Sequence, residues 1–128
     1  MNECDAYRGN ETILVVDDEK QLRDFLSIFL SSLGYNTLFA ENGNVAVDKY
    51  SQHSDSISLT IMDIMMPEKD GITALNEIKA IYPDANILLA SGYHQDTKLI
   101  EYHPKVQIIS KPYSSLELAK KIREHLDY

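Results

Sequence analysis

Short apolar runs recur along the chain and are separated by longer mixed segments. Each run has the length of a β-strand, and most runs do not alternate apolar with polar residues. Continuous apolar runs of this length are typical of strands that are buried on both faces of a sheet. The pattern therefore predicts five strands, at Ile13–Val16, Thr37–Ala40, Leu59–Met62, Ile87–Ala90 and Val106–Ile109.

The segments between these runs carry the spacing of amphipathic helices. The clearest spacing, i, i+3, i+4, i+7 and i+11, predicts a first helix that stops at Gly34. Pro83 ends the third predicted helix, and Ser114 or Ser115 caps the fifth. The predicted apolar face of the first helix is Leu22, Phe25, Leu26, Phe29 and Leu33, and the other four helices are predicted around residues 45–50, 75–82, 95–102 and 116–126.

The alternation of strands and helices places the chain in the α/β class. Such alternation implies a mostly parallel sheet with helices on both faces and right-handed crossovers. Five strands and five helices predict a single flavodoxin-like, doubly wound sheet with strand order 2-1-3-4-5. Residues 1–11 are polar and show no pattern, so they are interpreted as an N-terminal tail before one domain over residues 12–127.

Charge and composition exclude several classes of function. The 128 residues carry a net charge of −8, and the acidic excess lies in the first 70 residues. Phosphate backbones and anionic lipids repel so acidic a chain, so we expect no direct nucleic-acid binding. No apolar run approaches the roughly 20 residues of a membrane span, so we expect no membrane insertion. The single cysteine, Cys4, excludes an internal disulfide and a Cys-rich zinc site.

Polar residues follow four of the five predicted strands. Asp17 and Asp18 follow the first strand, Asp63 the third, Ser91 the fourth and Lys111 the fifth. The carboxyl ends of parallel strands share one edge of the sheet, where open α/β sheets bind ligands. Taken singly, these residues are also explained as helix caps, turn residues or a surface lysine. Taken together, they predict three carboxylates, a hydroxyl and an ammonium in one crevice.

This set of side chains suits phosphoryl transfer. Three neighbouring carboxylates repel one another unless a cation neutralises them, and Mg²⁺ prefers such oxygen ligands. A carboxylate beside that ion can attack phosphorus and form an aspartyl phosphate. The ammonium of Lys111 and the hydroxyl of Ser91 have the chemistry to bind phosphoryl oxygens. Nothing in the pattern resembles a base for a bound substrate, so the protein itself is the expected acceptor.

Four motifs resemble the receiver domain of two-component response regulators: ILVVDDE at 13–19, MDIMMPEKDG at 62–71, LLASGY at 88–93 and SKPY at 110–113. The resemblance covers residues 12–127. It implies that Asp63 is the phosphoacceptor and that Ser91 and Lys111 bind the phosphoryl group. It further implies that Asp17, Asp18, Asp63 and the backbone carbonyl of Met65 bind Mg²⁺ (or Mn²⁺). The resemblance also implies a cis Lys111–Pro112 bond. It places Gly71 at the point where the acceptor loop enters the third helix.

The resemblance also implies partners and a location. The phosphodonor is expected to be a histidine kinase or a histidine phosphotransfer domain in a bacterial cytoplasm. The downstream partner is expected at the face formed by the fourth helix, fifth strand and fifth helix. NETILVVDDE at 10–19 and SGY at 91–93 are similar to receivers at the C-terminal end of hybrid histidine kinases. Such a chain is a signalling phosphoacceptor, not an enzyme that turns over external substrates.

Two departures and two alternatives remain open. Ile108 stands where receivers carry a Tyr or Phe that moves on activation, so Tyr93 or Tyr113 is the candidate replacement. The segment between Ser91 and Lys111 is short for the family. An aspartyl-phosphate hydrolase is disfavoured because Met65 stands where such enzymes carry a second aspartate. An interaction module that has lost phosphotransfer is disfavoured because all five predicted site side chains are present. The bulky residues Met65 and Tyr93 are expected to slow hydrolysis of the aspartyl phosphate.

Overall fold

The computed structural model describes residues 3–92 and 105–127. Five strands form one sheet in the order β2-β1-β3-β4-β5, and every neighbouring pair is parallel. The predicted strand number, direction and order are therefore confirmed. The strands are β1 Thr12–Val16, β2 Asn36–Ala40, β3 Ile57–Asp63, β4 Ile87–Ser91 and β5 Val106–Ser110.

Within the described residues, four α-helices connect or follow these strands. The short helix predicted at 95–102 lies outside the described residues, so the fifth predicted helix is α4 here. Side chains cap three of the four helices, since Asn42 Oδ1, Asp70 Oδ1 and Ser114 Oγ accept from the free amides of the first turns. The helices are α1 Lys20–Ser32, α2 Gly43–Gln52, α3 Gly71–Ile81 and α4 Ser115–Asp127.

The sheet separates two apolar layers. Alternate residues of β1 point to opposite sides, with Ile13 and Val15 in one layer and Leu14 and Val16 in the other. The first layer packs under α1 and α4, and the second packs under α2 and α3. Because both faces are covered, the central strands need apolar residues at every position, which explains the unbroken runs in the sequence.

The helical face predicted for α1 is partly wrong. Leu26 of the predicted face is buried, and so is Leu30, which was not assigned to it, whereas Phe25 of the predicted face is 50% exposed. Phe25 instead stacks on Phe29, with ring centroids 6.1 Å apart. The apolar stripe is wider than the layer beneath it, so a large ring at its margin stays in contact with solvent.

The N-terminal segment is not a free tail. Glu3–Tyr7 form a 3₁₀ helix against α4, and Cys4 is buried in the layer under α1 and α4. The carbonyl of Tyr7 accepts from the Tyr35 hydroxyl at 2.9 Å, and Glu11 accepts from Arg123 Nη1 at 2.8 Å. The apolar residues of this segment are too few and too far apart to reveal the packing as a sequence pattern. Among the described residues, no helix is long and apolar enough to cross a membrane.

Candidate acidic site at the sheet edge

The four predicted strand ends meet at one edge of the sheet. Asp63 ends β3 beside Ala90, and Ser91 ends β4 beside Ser110. The backbone ladder continues past the strands, because Asp17 N donates to Ala40 O at 3.1 Å and Lys111 N donates to Ser91 O at 2.8 Å. These bonds fix the backbone positions of Asp17 and Lys111 at this edge.

Three carboxylates cluster at this edge. One oxygen from each of Asp17, Asp18 and Asp63 lies within 4.8 Å of the others. Asp17 and Asp63 are buried, whereas Asp18 is exposed to solvent. Asp17 is held in place through Oδ1, which accepts from the Glu19 amide at 2.9 Å, and through its carbonyl, which accepts from Arg23 at 2.7 Å.

One ammonium group reaches into the cluster. Lys111 Nζ lies 3.0 Å from Asp63 Oδ2 and 3.9 Å from Asp17 Oδ2. Among the described residues, Lys111 is the one that forms ion pairs with these three carboxyls, so the ion pairs leave an excess of negative charge on the cluster when all three are ionised. A small hard cation would offset that excess, and carboxylate oxygens are the ligands that Mg²⁺ prefers. The donor set thus fits a divalent ion of this kind.

Burial and the neighbouring charges both act on the carboxyl of Asp17. Burial raises the pKa of its carboxyl above the usual range. The amide of Glu19 and the Lys111 ammonium act in the opposite direction, while the charges of Asp63 and Asp18 add to the increase. The fold therefore makes ionisation of Asp17 less favourable than in the unfolded chain, and a bound cation would favour the ionised form.

Ser91 and Met65 lie beside the cluster in orientations that differ from their expected roles. The Ser91 hydroxyl donates to the Gly92 carbonyl at 3.2 Å and is almost fully buried. Met65 approaches Asp63 through its amide, which donates to Oδ1 at 3.3 Å, and its side chain is 67% exposed. The metal-binding role of the Met65 carbonyl stays a prediction.

Two backbone contacts shape the loop that follows Asp63. A Cβ atom on Gly71 would lie 2.3 Å from the Asp63 carbonyl oxygen and 2.9 Å from Ile64 Cα, so only glycine fits this close approach. The Gly71 amide donates to the Ile64 carbonyl at 2.8 Å, which closes the loop onto the end of β3. The Lys111–Pro112 bond is cis, as expected from the sequence.

A pocket of about 440 Å³ opens beside Lys111. Tyr113 lines it, and the pKa of this phenol is raised to about 12 by burial and by the charges of Asp17 and Asp63. Tyr113 therefore lies near the acidic cluster, while Tyr93, the other candidate from the sequence, lies outside the described residues.

Ile108 is partly buried in the layer under α2 and α3. The pocket beside Lys111 is also lined by Glu19, Leu22 and Phe25. The helical spacing in the sequence did not predict that these residues line a pocket.

The fold and the site together define a class of α/β domains with an acidic pocket at the carboxyl edge of a parallel sheet. Residues 13–123 match the family model of the response regulator receiver domain. The chain belongs to the receiver domain family, and the resemblance seen in the four sequence motifs is confirmed. Receiver domains are phosphoacceptor domains of two-component signalling and interact with histidine kinases or phosphotransfer proteins.

Individual relatives span several protein architectures. The chain is 44% identical over 90 residues to the chemotaxis protein CheY of Bacillus subtilis, covering 70% of this chain and 73% of that protein. It is 31% identical to the sensor kinase CckA of Brucella abortus over 93% of this chain, but it spans only 13% of that protein. A chain in the solved CheX–CheY–BeF3–Mg complex of Borrelia burgdorferi superposes with a TM-score of 0.80 at 28% identity, over 89% of this chain and 87% of that one.

Proposed function

We propose that Asp63 accepts a phosphoryl group from a histidine kinase or a histidine phosphotransfer domain, and that its phosphorylation switches a partner-binding surface of this chain. The observation that carries the proposal is the contact of 3.0 Å between Lys111 Nζ and Asp63 Oδ2 inside a cluster of three carboxylates. A lysine in this position neutralises the acceptor and remains available to an incoming phosphoryl oxygen.

The proposed reaction is an in-line displacement at phosphorus. An oxygen of Asp63 forms the new P–O bond, while the bond from phosphorus to the donor nitrogen breaks and leaves its electron pair on that nitrogen. The Lys111 ammonium moves from the Asp63 carboxylate to one phosphoryl oxygen. The Ser91 hydroxyl gives up its hydrogen bond to the Gly92 carbonyl and donates to a second phosphoryl oxygen. Both contacts stabilise charge that develops on the phosphoryl group.

Asp17, Asp18 and the Met65 carbonyl would bind Mg²⁺ (or Mn²⁺) together with Asp63. A bound divalent ion supplies positive charge to the phosphoryl oxygens and relieves repulsion among the carboxylates. The negative charge excess of the described cluster supports this assignment. So does the Borrelia burgdorferi relative, which was solved as a complex with BeF3 and Mg.

The switch in this proposal begins at Ser91. Phosphorylation adds about 1.5 to 2 negative charges at Asp63, which draws the Ser91 hydroxyl away from Gly92 at the end of β4. The proposed responding surface is formed by the predicted fourth helix, which lies outside the described residues, together with β5 and α4. Ile108 lacks the ring that receivers use at this position, so Tyr113 is the candidate among the described residues for an aromatic that responds.

Labelling with a small phosphodonor tests the proposal. The chain is incubated with acetyl phosphate and Mg²⁺, and its intact mass is measured under conditions that preserve acyl phosphates. We expect a gain of one phosphoryl group in the wild type and in the control Asp55→Asn, which alters an exposed carboxylate elsewhere. We expect no gain in Asp63→Asn or after removal of divalent ions with EDTA. An unchanged mass in the wild type would overturn the proposal.

A further inference from the structure

The loop over residues 64–70 carries Met65, whose carbonyl is a proposed metal ligand. The Gly71 amide closes the base of this loop, and an ion pair between Lys69 and Glu77 joins the loop to α3. The outer part of the loop also contacts the start of α2. The position of the Met65 carbonyl therefore depends on contacts that lie outside the acidic cluster.

The start of α2 approaches the loop closely through Gly43. This glycine is buried, and its amide donates to the Lys69 carbonyl at 3.2 Å. A Cβ atom on Gly43 would lie 2.4 Å from the same carbonyl oxygen, so the close approach requires glycine. The first amides of a helix have no acceptor within the helix, and here the loop supplies one. The backbone of the loop is thereby docked on α2.

Asn42 adds a side-chain contact to this backbone contact. Its Oδ1 accepts from the Val45 amide at 2.9 Å and caps α2, and this bond fixes the orientation of the amide group. Its Nδ2 donates to Glu68 Oε2 at 3.2 Å. Glu68 has a φ of 67°, a left-handed conformation that is uncommon for a residue with a Cβ atom. One side chain thus caps a helix and also holds the strained part of the loop.

We infer that Asn42 is a positioning residue of the metal site: through Glu68 it holds the loop over residues 64–70 in the conformation that presents the Met65 carbonyl to a divalent ion. This inference rests on the proposed metal-binding role of the acidic cluster. A loop that is already held in place loses less conformational freedom when the ion binds. Breaking the contact should therefore weaken metal binding while the domain stays folded.

Replacing the amide of Asn42 by a carboxylate separates its two roles. Asn42→Asp keeps an oxygen that caps α2, but it removes the donor to Glu68 and places two carboxylates side by side. Mn²⁺ takes the same oxygen ligands as Mg²⁺, and electron paramagnetic resonance measures its free concentration. We expect Asn42→Asp to raise the dissociation constant for Mn²⁺ by about two- to tenfold, the range that one hydrogen bond supplies. The melting temperature in EDTA should stay within about 2 °C of the wild type.

A second substitution reverses the direction of the hydrogen bond. When Glu68→Gln is combined with Asn42→Asp, the new amide can donate to the new carboxylate, and the pair keeps the net charge of the wild type. We expect this double variant to recover most of the Mn²⁺ affinity that Asn42→Asp loses. Loss of the helix cap predicts no such recovery, because the residue at position 42 is the same in both variants.

Asn44→Asp is the matched control. Asn44 is exposed on the first turn of α2, so this variant adds the same charge to the same turn and leaves the contact between Asn42 and Glu68 in place. An added carboxylate attracts a cation, so charge alone predicts binding as tight as in the wild type or tighter for both single variants. Asp17→Asn removes a carboxylate of the cluster and should weaken binding, which assigns the measured constant to that cluster.

The possible failures are distinct. If the wild type and Asn42→Asp bind Mn²⁺ equally well, the positioning role is refuted, and the acidic metal site and the phosphoacceptor proposal stand. The positioning role is also refuted if Asn44→Asp weakens binding as much as Asn42→Asp, or if the double variant shows no recovery. If the wild type binds no Mn²⁺, or if Asp17→Asn binds it as tightly as the wild type, the proposed metal site and the positioning role fail together.

Discussion

Removing one carboxylate from the acidic cluster should stabilise the protein in the absence of divalent ions. Asp17 is buried, and one of its oxygens lies within 4.8 Å of an oxygen of Asp63 and of Asp18. Asp17→Asn removes a negative charge and keeps an oxygen that can accept from the Glu19 amide, which Asp17 Oδ1 contacts at 2.9 Å. The substitution therefore changes the electrostatics with little change in shape.

The size of the effect follows from Coulomb's law. Two unit charges 4.8 Å apart repel by about 0.9 kcal/mol in water and by about 3.5 kcal/mol at an effective dielectric constant of about 20. Asp63 and Asp18 together repel Asp17 by about 7 kcal/mol at that dielectric constant, and Lys111, 3.9 Å from Asp17 Oδ2, offsets about 4 kcal/mol of it. Because Asp18 is exposed, its charge is screened more strongly and the remainder is smaller than about 3 kcal/mol. We therefore expect a net gain of about 1 to 2 kcal/mol for Asp17→Asn. For a domain of this size, that gain raises the melting temperature by about 4 to 8 °C.

The pH and metal dependence identify the cause. Because the folded state raises the pKa of Asp17, its neutral form favours folding, and the associated stability is lost as the pH rises through that pKa. The advantage of Asp17→Asn should therefore shrink as the pH is lowered from about 7 toward about 4. Mg²⁺ should stabilise the wild type more than the variant, because the variant has lost one carboxylate ligand.

Thermal unfolding followed by circular dichroism, with EDTA and then with Mg²⁺, measures these changes. Asp48→Asn, an exposed carboxylate on α2, is the control and should leave the melting temperature within about 2 °C of the wild type. The reasoning is refuted if Asp17→Asn melts below the wild type in EDTA near pH 7. It is also refuted if Mg²⁺ raises both melting temperatures equally.

Three further substitutions test other parts of the structure. Gly71→Ala should cost about 1 to 3 kcal/mol in urea unfolding, because its Cβ would lie 2.3 Å from the Asp63 carbonyl oxygen; an unchanged midpoint would contradict that contact. Burial lowers the pKa of His125, whose Nε2 contacts the Lys105 carbonyl at 2.9 Å, so stability should fall as the pH drops below about 6.5. His125→Gln should flatten that part of the stability profile, and an equal slope in both proteins would exclude His125 as its source. Met65→Asn should speed loss of the phosphoryl label, measured by mass over time, because it replaces a bulky side chain two residues after Asp63 with one that can position water; loss no faster than in the wild type would contradict this.

The sequence predicted the sheet well because burial on both faces leaves little choice of residue. The runs around Ile13–Val16 and Ile87–Ala90 are continuous for that reason, and both became strands of the predicted sheet. The positions of Asp17, Asp63 and Lys111 followed from the rule that parallel strands end at one edge. The strand ends thus brought distant residues together without any knowledge of side-chain geometry.

Features that depend on tertiary packing were not predicted. The helical period placed Phe25 on the buried face, but the width of the layer beneath α1 decides where that face ends. Cys4 is buried because Glu3–Tyr7 pack against α4, a contact between residues more than 100 positions apart. The orientation of Ser91 toward Gly92 depends on rotamer choice at the end of β4, which residue type alone does not specify.

Chemical trapping of the phosphorylated residue tests the central claim most directly. The chain is phosphorylated with acetyl phosphate and Mg²⁺, reduced with borohydride, which converts an aspartyl phosphate to homoserine, and mapped by peptide mass spectrometry. Phosphorylation at the carboxylate beside Lys111 predicts homoserine at position 63 and nowhere else. Homoserine at position 17 or 18, or none in a protein that gained phosphoryl mass, would contradict the assignment of Asp63 as the acceptor.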